Sequence, residues 1–178
     1  MASLRSTLSK LPPPIKLSIQ ERVYPKLLAE GELAPEWHLQ SWDDTWHRQG
    51  KNWAVLAFYT QDGGADDRAQ LQDVQEHLPA LTRLGVKVFG IHPAESASHA
   101  GFAKDAGLTF PLLTDRGGSV ARLFRACMQV PFSQPLLIRT VYLVNPERKI
   151  RLANRGAPSV AAIVRSVEAL QQVARGGM

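Results

Sequence analysis

The spacing of apolar positions changes several times along the chain, and each change marks an element. Trp53–Tyr59 is a near-continuous apolar run that ends in polar and glycine residues, the pattern of a central strand covered on both faces. From Asp67 onward, Leu71, Val74, Leu78, Leu81 and Leu84 recur at helical spacing, and Gly85 supplies the stop. Pro79 is expected to divide this helix into two pieces, because it lacks an N–H and its ring crowds the preceding turn. Val86–His92 reads as the next strand, so strand, helix and strand make one βαβ unit with a parallel pair. Ser96–Ala106, closed by Gly107, and Ser119–Ala126 read as further helices. Thr140–Asn145 and Ile150–Asn154 flank Pro146–Lys149 as a β-hairpin. Ser159 is placed to cap a last helix whose Val160, Ile163, Val164, Val167 and Leu170 form one stripe. These elements predict an α/β sandwich: a central mixed sheet flanked by helices, with no internal repeat.

Ahead of the first strand the pattern is weaker. Pro12–Pro14 cannot propagate a helix, so residues 1–14 are expected to be an extended arm. Ser18 to Glu21 has capping-box spacing and predicts a short helix over Ile19–Ala29, weakened by Pro25. The division expected is an N-terminal extension over 1–29, one folded domain over 30–174 and a tail over 175–178. Trp37, Trp42, Trp46 and Trp53 crowd together ahead of and within the first core strand, where core packing is expected; an exposed one would point to a partner surface.

Composition narrows the function classes. A chain of 178 residues, 44% apolar and 21% charged, suits one globular domain. The sequence shows no apolar run long enough to cross a membrane and no secretory h-region, so a soluble cytoplasmic protein is expected. The single cysteine, Cys127, excludes an intrachain disulfide and a C-x-x-C redox pair, and fits a reducing compartment. Of the net charge of +5, the first thirty residues carry +3, from Arg5, Lys10, Lys16, Arg22 and Lys26 against Glu21 and Glu30. Met1 to Gln20 has no acid and faintly resembles an organelle transit peptide, which Pro12–Pro14 argue against. Arg148, Lys149, Arg151 and Arg155 lack interleaved aromatics, so a solvated face is expected rather than a nucleic-acid site. His38, His47, His77, His92 and His99 show no metal-ligand spacing, and Gly63-Gly64 and Gly117-Gly118 fit no phosphate loop; neither metal nor cofactor is expected.

Several separated segments share one resemblance. Val55 to Asp67 lies without a gap on the pattern V-L-F-F-Y-P-x-D-F-T-P-G-C, and Glu30 to Leu39 is similar to G-D-x-A-P-D-F-x-L. Val88–Ile91, Ser98–Phe102, Leu108–Asp115 and Arg139–Asn145 resemble V-x-G-I-S, S-H-x-x-F, L-x-F-P-L-L-S-D and R-x-x-Y-x-I-D in the same order. Over about residues 30–170 the chain thus resembles the peroxiredoxins of the alkyl hydroperoxide reductase and thiol-specific antioxidant type. The resemblance implies a thioredoxin-like fold, with a helix N-terminus facing the site where a peroxide-reactive cysteine would stand. There Asp67 takes the cysteine's position, Thr60 that of the motif proline and Gly64 that of its threonine; of the catalytic groups only Arg139 remains.

A helix N-terminus stabilises anions, so Asp66 and Asp67 are expected to act as an N-cap and a first-turn acid. Asp67 is further expected to pair with Arg139. The function expected is a binding or assembly module without cysteine-peroxidase activity, working as a homodimer or with a protein partner. The alternative is a one-cysteine antioxidant oxidoreductase using Cys127, with Arg125 lowering its pKa. A third reading gives the emptied pocket new chemistry from Asp67, Arg139 and a histidine.

Overall fold

The computed structural model describes residues 25–128 and 136–176. Among the described residues, nine strands and four α-helices follow in the order β1 (His38–Ser41), β2 (Trp46–Arg48), β3 (Trp53–Phe58), α1 (Ala65–Arg83), β4 (Val86–His92), α2 (Ser96–Ala106), β5 (Leu112–Thr114), α3 (Ser119–Leu123), β6 (Cys127–Met128), β7 (Leu136–Leu137), β8 (Thr140–Val144), β9 (Ile150–Arg155) and α4 (Val160–Gly176). Seven strands form one sheet in the order β2-β1-β5-β4-β3-β8-β9, and β6 and β7 form a small second one. β3, β4 and β5 run parallel, whereas β1, β2, β8 and β9 join antiparallel, so the sheet is mixed as expected.

The pleat of β3 separates two cores. Val55, Ala57 and Tyr59 point to one face, where Leu71, Val74 and Leu81 of α1, Phe102 of α2 and Ile163 and Val167 of α4 cover them. Ala54, Leu56 and Phe58 point to the other, under Leu28, Trp37, Phe124, Cys127, Tyr142 and Ile150. β4 allows this packing only because residue 90 is glycine. A Cβ there would stand 2.5 Å from Leu112 Cδ2 and 3.3 Å from Tyr59 Cε1, inside the first core.

Several expectations are corrected. α1 runs unbroken through Pro79; the helix is held by the apolar face it buries, which outweighs one missing backbone bond. α3 stops at Leu123 rather than continuing to Ala126, because Arg125 turns left-handed at φ 53° and the Ala126 N–H returns to the Ala121 carbonyl. Residues 25–29 are not helical. They lie against the domain instead: Leu28 is buried in the second core, and Arg155 donates to the Pro25 carbonyl at 2.7 Å, so the packed unit reaches beyond the expected boundary at 30. The remainder of the expected arm and helix falls outside the described residues. At the other end α4 continues to Gly176, past 174. Its first N–H, at Val160, is accepted by Asp73 of α1 at 3.1 Å, which ties the two helices together. Among the described residues, no helix is long and apolar enough to cross a membrane.

Candidate functional site

The connector from the end of β3 to the first turn of α1 carries the candidate residues. Gly64 is the N-cap and contributes no side chain to the cap, while Asp66 and Asp67 both lie in the first turn. The expectation that one of the two would be the N-cap is therefore corrected. Asp67 is buried, and its carboxylate turns back along the connector: Oδ1 accepts the Thr60 N–H at 3.0 Å and Oδ2 the Thr60 hydroxyl at 2.7 Å. Glycine at 64 leaves room for this, since a Cβ there would stand 3.1 Å from Asp67 Oδ2. Thr60, Gly64 and Asp67 thus form one closed local loop.

The expected pairing of Asp67 with Arg139 is not observed. Arg139, just ahead of β8, pairs with Asp66 at 3.1 Å, and the Asp66 side chain is 81% exposed. With the Asp67 carboxylate turned inward to Thr60, the outward-facing neighbour meets the guanidinium. Asp66, Gln70, Asp73, Arg139 and Ala157 line a shallow depression of about 360 Å³ beside α1. Gln70, one helical turn beyond Asp66, is buried there, and neither of its amide atoms has a hydrogen-bond partner among the described residues.

Cys127 lies elsewhere. It belongs to the second core, across the sheet from α1, and is fully buried. Burial pushes its thiol up, against weaker downward pulls from Arg122 and Arg155. The expected influence of Arg125 is corrected: that guanidinium donates to the Lys26 carbonyl at 3.2 Å, and the positive charges that pull the thiol down are Arg122 and Arg155.

A second polar cluster begins at the same connector. The Tyr59 hydroxyl donates to Asp62 Oδ1 at 2.8 Å, and His99 Nδ1, on α2, lies 3.0 Å from Asp62 Oδ2. Ser98 donates to Asp62 as well. Burial works to raise the Asp62 carboxyl, but the hydrogen bonds from His99, Ser98 and Tyr59 outweigh it and hold the group at about 2. Burial raises the Tyr59 phenol strongly, assisted by Asp62. His92, at the end of β4, stacks on Tyr59 with ring centroids 5.0 Å apart and shares its Nε2 proton with the Thr60 carbonyl at 3.0 Å. Burial pulls the His92 imidazole down, opposed by Asp62 and by that carbonyl. Spacing alone gave no sign that residues 62, 92 and 99 meet. Asp62 and His99 each occupy matched positions in separate motifs, and that was the available signal.

Fold and connector together define the class: a thioredoxin-like α/β sandwich of the peroxiredoxin type, in which a strand leads through a short loop to a helix N-terminus. Residues 31–153 match the model of the AhpC/TSA family, and the chain belongs to that family. Peroxiredoxin Bcp of Xanthomonas campestris pv. campestris is 27% identical over 122 residues, 63% of this chain and 76% of the relative. Alkyl hydroperoxide reductase C of Bacillus subtilis is 25% identical over 129 residues, 68% of this chain and 67% of the relative. Among solved structures, peroxidoxin BcpB from Mycobacterium tuberculosis superposes with a TM-score of 0.74 at 18% identity, covering 80% of this chain and 97% of that one. Xanthomonas campestris peroxiredoxin Q superposes with a TM-score of 0.68 at 22% identity, covering 75% and 90%. The expected fold and family both hold.

Proposed function

We propose that this chain is a peroxiredoxin-fold binding module that does not reduce peroxides through a cysteine. One observation carries the reading. The helix start that would present a thiolate bears Asp67, whose carboxylate is engaged by the Thr60 N–H and hydroxyl. A carboxylate cannot attack the O–O bond of a peroxide and be recycled as a sulfenic acid is. The Cys127 alternative is disfavoured, because that thiol is buried on the opposite face of the sheet and shifted away from the reactive thiolate. New chemistry from Asp67 and Arg139 is likewise disfavoured, since their side chains take different partners. A buried lone thiol suits the cytoplasm or another reducing compartment.

A binding role is supported at the far edge of the sheet. Trp46 on the edge strand β2 is 58% exposed, with the His38 ring 4.6 Å away, while Trp37 is buried. A large exposed aromatic beside an edge strand suits a protein partner or a second copy of the chain.

The test is a hydrogen peroxide titration followed by intact-mass spectrometry, comparing the folded protein with the same chain in denaturant. Cys127 is expected to oxidise no faster in the folded protein. Oxidation at least tenfold faster than in the unfolded chain would refute the proposal. Sedimentation of the native chain beside Trp46→Ser tests the partner surface: a dimer that dissociates in the variant supports self-association, and a monomer in both leaves the role to another protein.

A further inference from the structure

Asp62, His92 and His99 each present one ligating atom, and these atoms all lie within 4.8 Å of one another. They come from three separate elements: the connector after β3, the end of β4 and the body of α2. We propose that they form a site for a divalent first-row transition metal of the zinc class. Two imidazoles and a carboxylate are the donor set such ions favour over magnesium or calcium, which prefer oxygen alone.

The hydrogen bonding around His99 argues for a cation at this point. Its Nδ1 lies 3.0 and 3.2 Å from the two Asp62 oxygens and 3.1 Å from the Tyr59 hydroxyl oxygen, and its Nε2 lies 3.3 Å from the His92 carbonyl. Both ring nitrogens of this fully buried side chain therefore face oxygen acceptors. The Tyr59 hydroxyl proton is directed to Asp62 Oδ1 at 2.8 Å. A neutral imidazole carries one N–H, so one lone pair confronts an oxygen unless a second proton or a metal ion lies between them. With metal–ligand bonds of about 2.1 Å, donors 3.0 Å apart subtend about 90° at the metal, as neighbouring ligands do in a five- or six-coordinate site.

His92 completes the set with the nitrogen it now directs at Thr60. Its Nδ1 accepts the Ala94 N–H at 3.2 Å, which orients the ring, and its Nε2 donates to the Thr60 carbonyl at 3.0 Å. On metal capture the ring changes tautomer: Nε2 releases its proton to solvent, Nδ1 takes one up and gives up the Ala94 N–H, and the freed Nε2 lone pair binds the ion in place of the bond to Thr60. Tyr59, stacked on His92 and bonded to Asp62, holds both ligands from behind. This site is independent of whether the chain reduces peroxides.

Tag-free protein stripped with chelator is titrated with Co²⁺, followed by its visible absorption, and with Zn²⁺, followed by metal retained after gel filtration. One equivalent is expected to be retained, with visible cobalt bands and a raised melting temperature. His92→Gln and Asp62→Asn are each expected to weaken retention at least tenfold, whereas His77→Gln, at a half-exposed histidine on α1, leaves it unchanged. No retained equivalent, or one that survives in His92→Gln, overturns the proposal. Should His92→Gln fail to fold, the wild-type protein answers the same question by chemical modification of histidine: Zn²⁺ is expected to slow the reaction of His92, and an unaltered rate rejects the site.

Discussion

Two carboxylates, Asp67 buried and Asp62 half-buried, leave the same connector and do opposite things. Asp67 spends its hydrogen bonds on Thr60, so it fastens the connector to itself. Asp62 spends its own on Ser98 and His99 of α2, and so fastens the connector to a helix more than thirty residues further along the chain. One loop is closed locally, and the other is stapled to the fold. A local closure limits only the conformations of a few residues. A staple between distant segments resists the separation of whole elements, and it gathers polar groups that no short motif contains.

The comparison fails most visibly if the staple proves weak. Asp62→Ala leaves the buried His99 and the Tyr59 hydroxyl without their acceptor and is expected to cost about 3 kcal/mol, read from urea denaturation midpoints. Asp67→Ala removes two bonds confined to the connector and is expected to cost about 2 kcal/mol in the same assay. A larger loss for Asp67→Ala than for Asp62→Ala would reverse the ranking of the two carboxylates.

Acid sharpens the contrast. The Asp62 carboxyl is held at about 2 in the folded chain, below its ordinary value of 3.8. A depressed acid stabilises the fold above its ordinary pKa, and that stability is lost as pH falls through the folded value. Stability is therefore expected to drop between about pH 4 and pH 2, and Asp62→Asn to flatten that part of the profile. An equal slope in the variant would assign the acid loss to other groups. The smallest effect belongs to the exposed neighbour: Asp66→Ala breaks a surface pair with Arg139 and is expected to change stability by less than about 0.5 kcal/mol. Thermal melts of Asp66→Ala and Asp67→Ala side by side measure the separation, and coincident melting temperatures would contradict it.

Much of this architecture could be read from apolar spacing. β4 and α2 occur over the spans expected, β3 ends one residue short of its expected limit, and the β8–β9 hairpin lies where the turn residues implied. The short strands β1, β2 and β5 escaped, because three or four residues are too few to show a period of two. Pro79 does not break α1, because the apolar face the helix buries outweighs the local propensity of one residue. At the site the residues were legible and their contacts were not. The motifs fixed that Asp66, Asp67 and Arg139 belong to one neighbourhood, but which acid turns inward depends on side-chain direction around a single helical turn. Cys127 was assigned no face, since strand β6 is only two residues long. The meeting of Asp62 with His92 and His99 is a tertiary contact between three elements, and nothing in local spacing encodes it.

The Thr60–Asp67 loop also bears on what a cysteine would meet at this position. Replacing Asp67 by cysteine in one step would leave the Thr60 N–H and hydroxyl without their acceptor, place the thiol beside a glycine where the related motif has a hydroxyl, and leave Arg139 held by Asp66. The Thr60 N–H and hydroxyl are fitted to a carboxylate. A single substitution to cysteine would therefore set a thiol among groups arranged for a carboxylate, and would not by itself build a thiolate site.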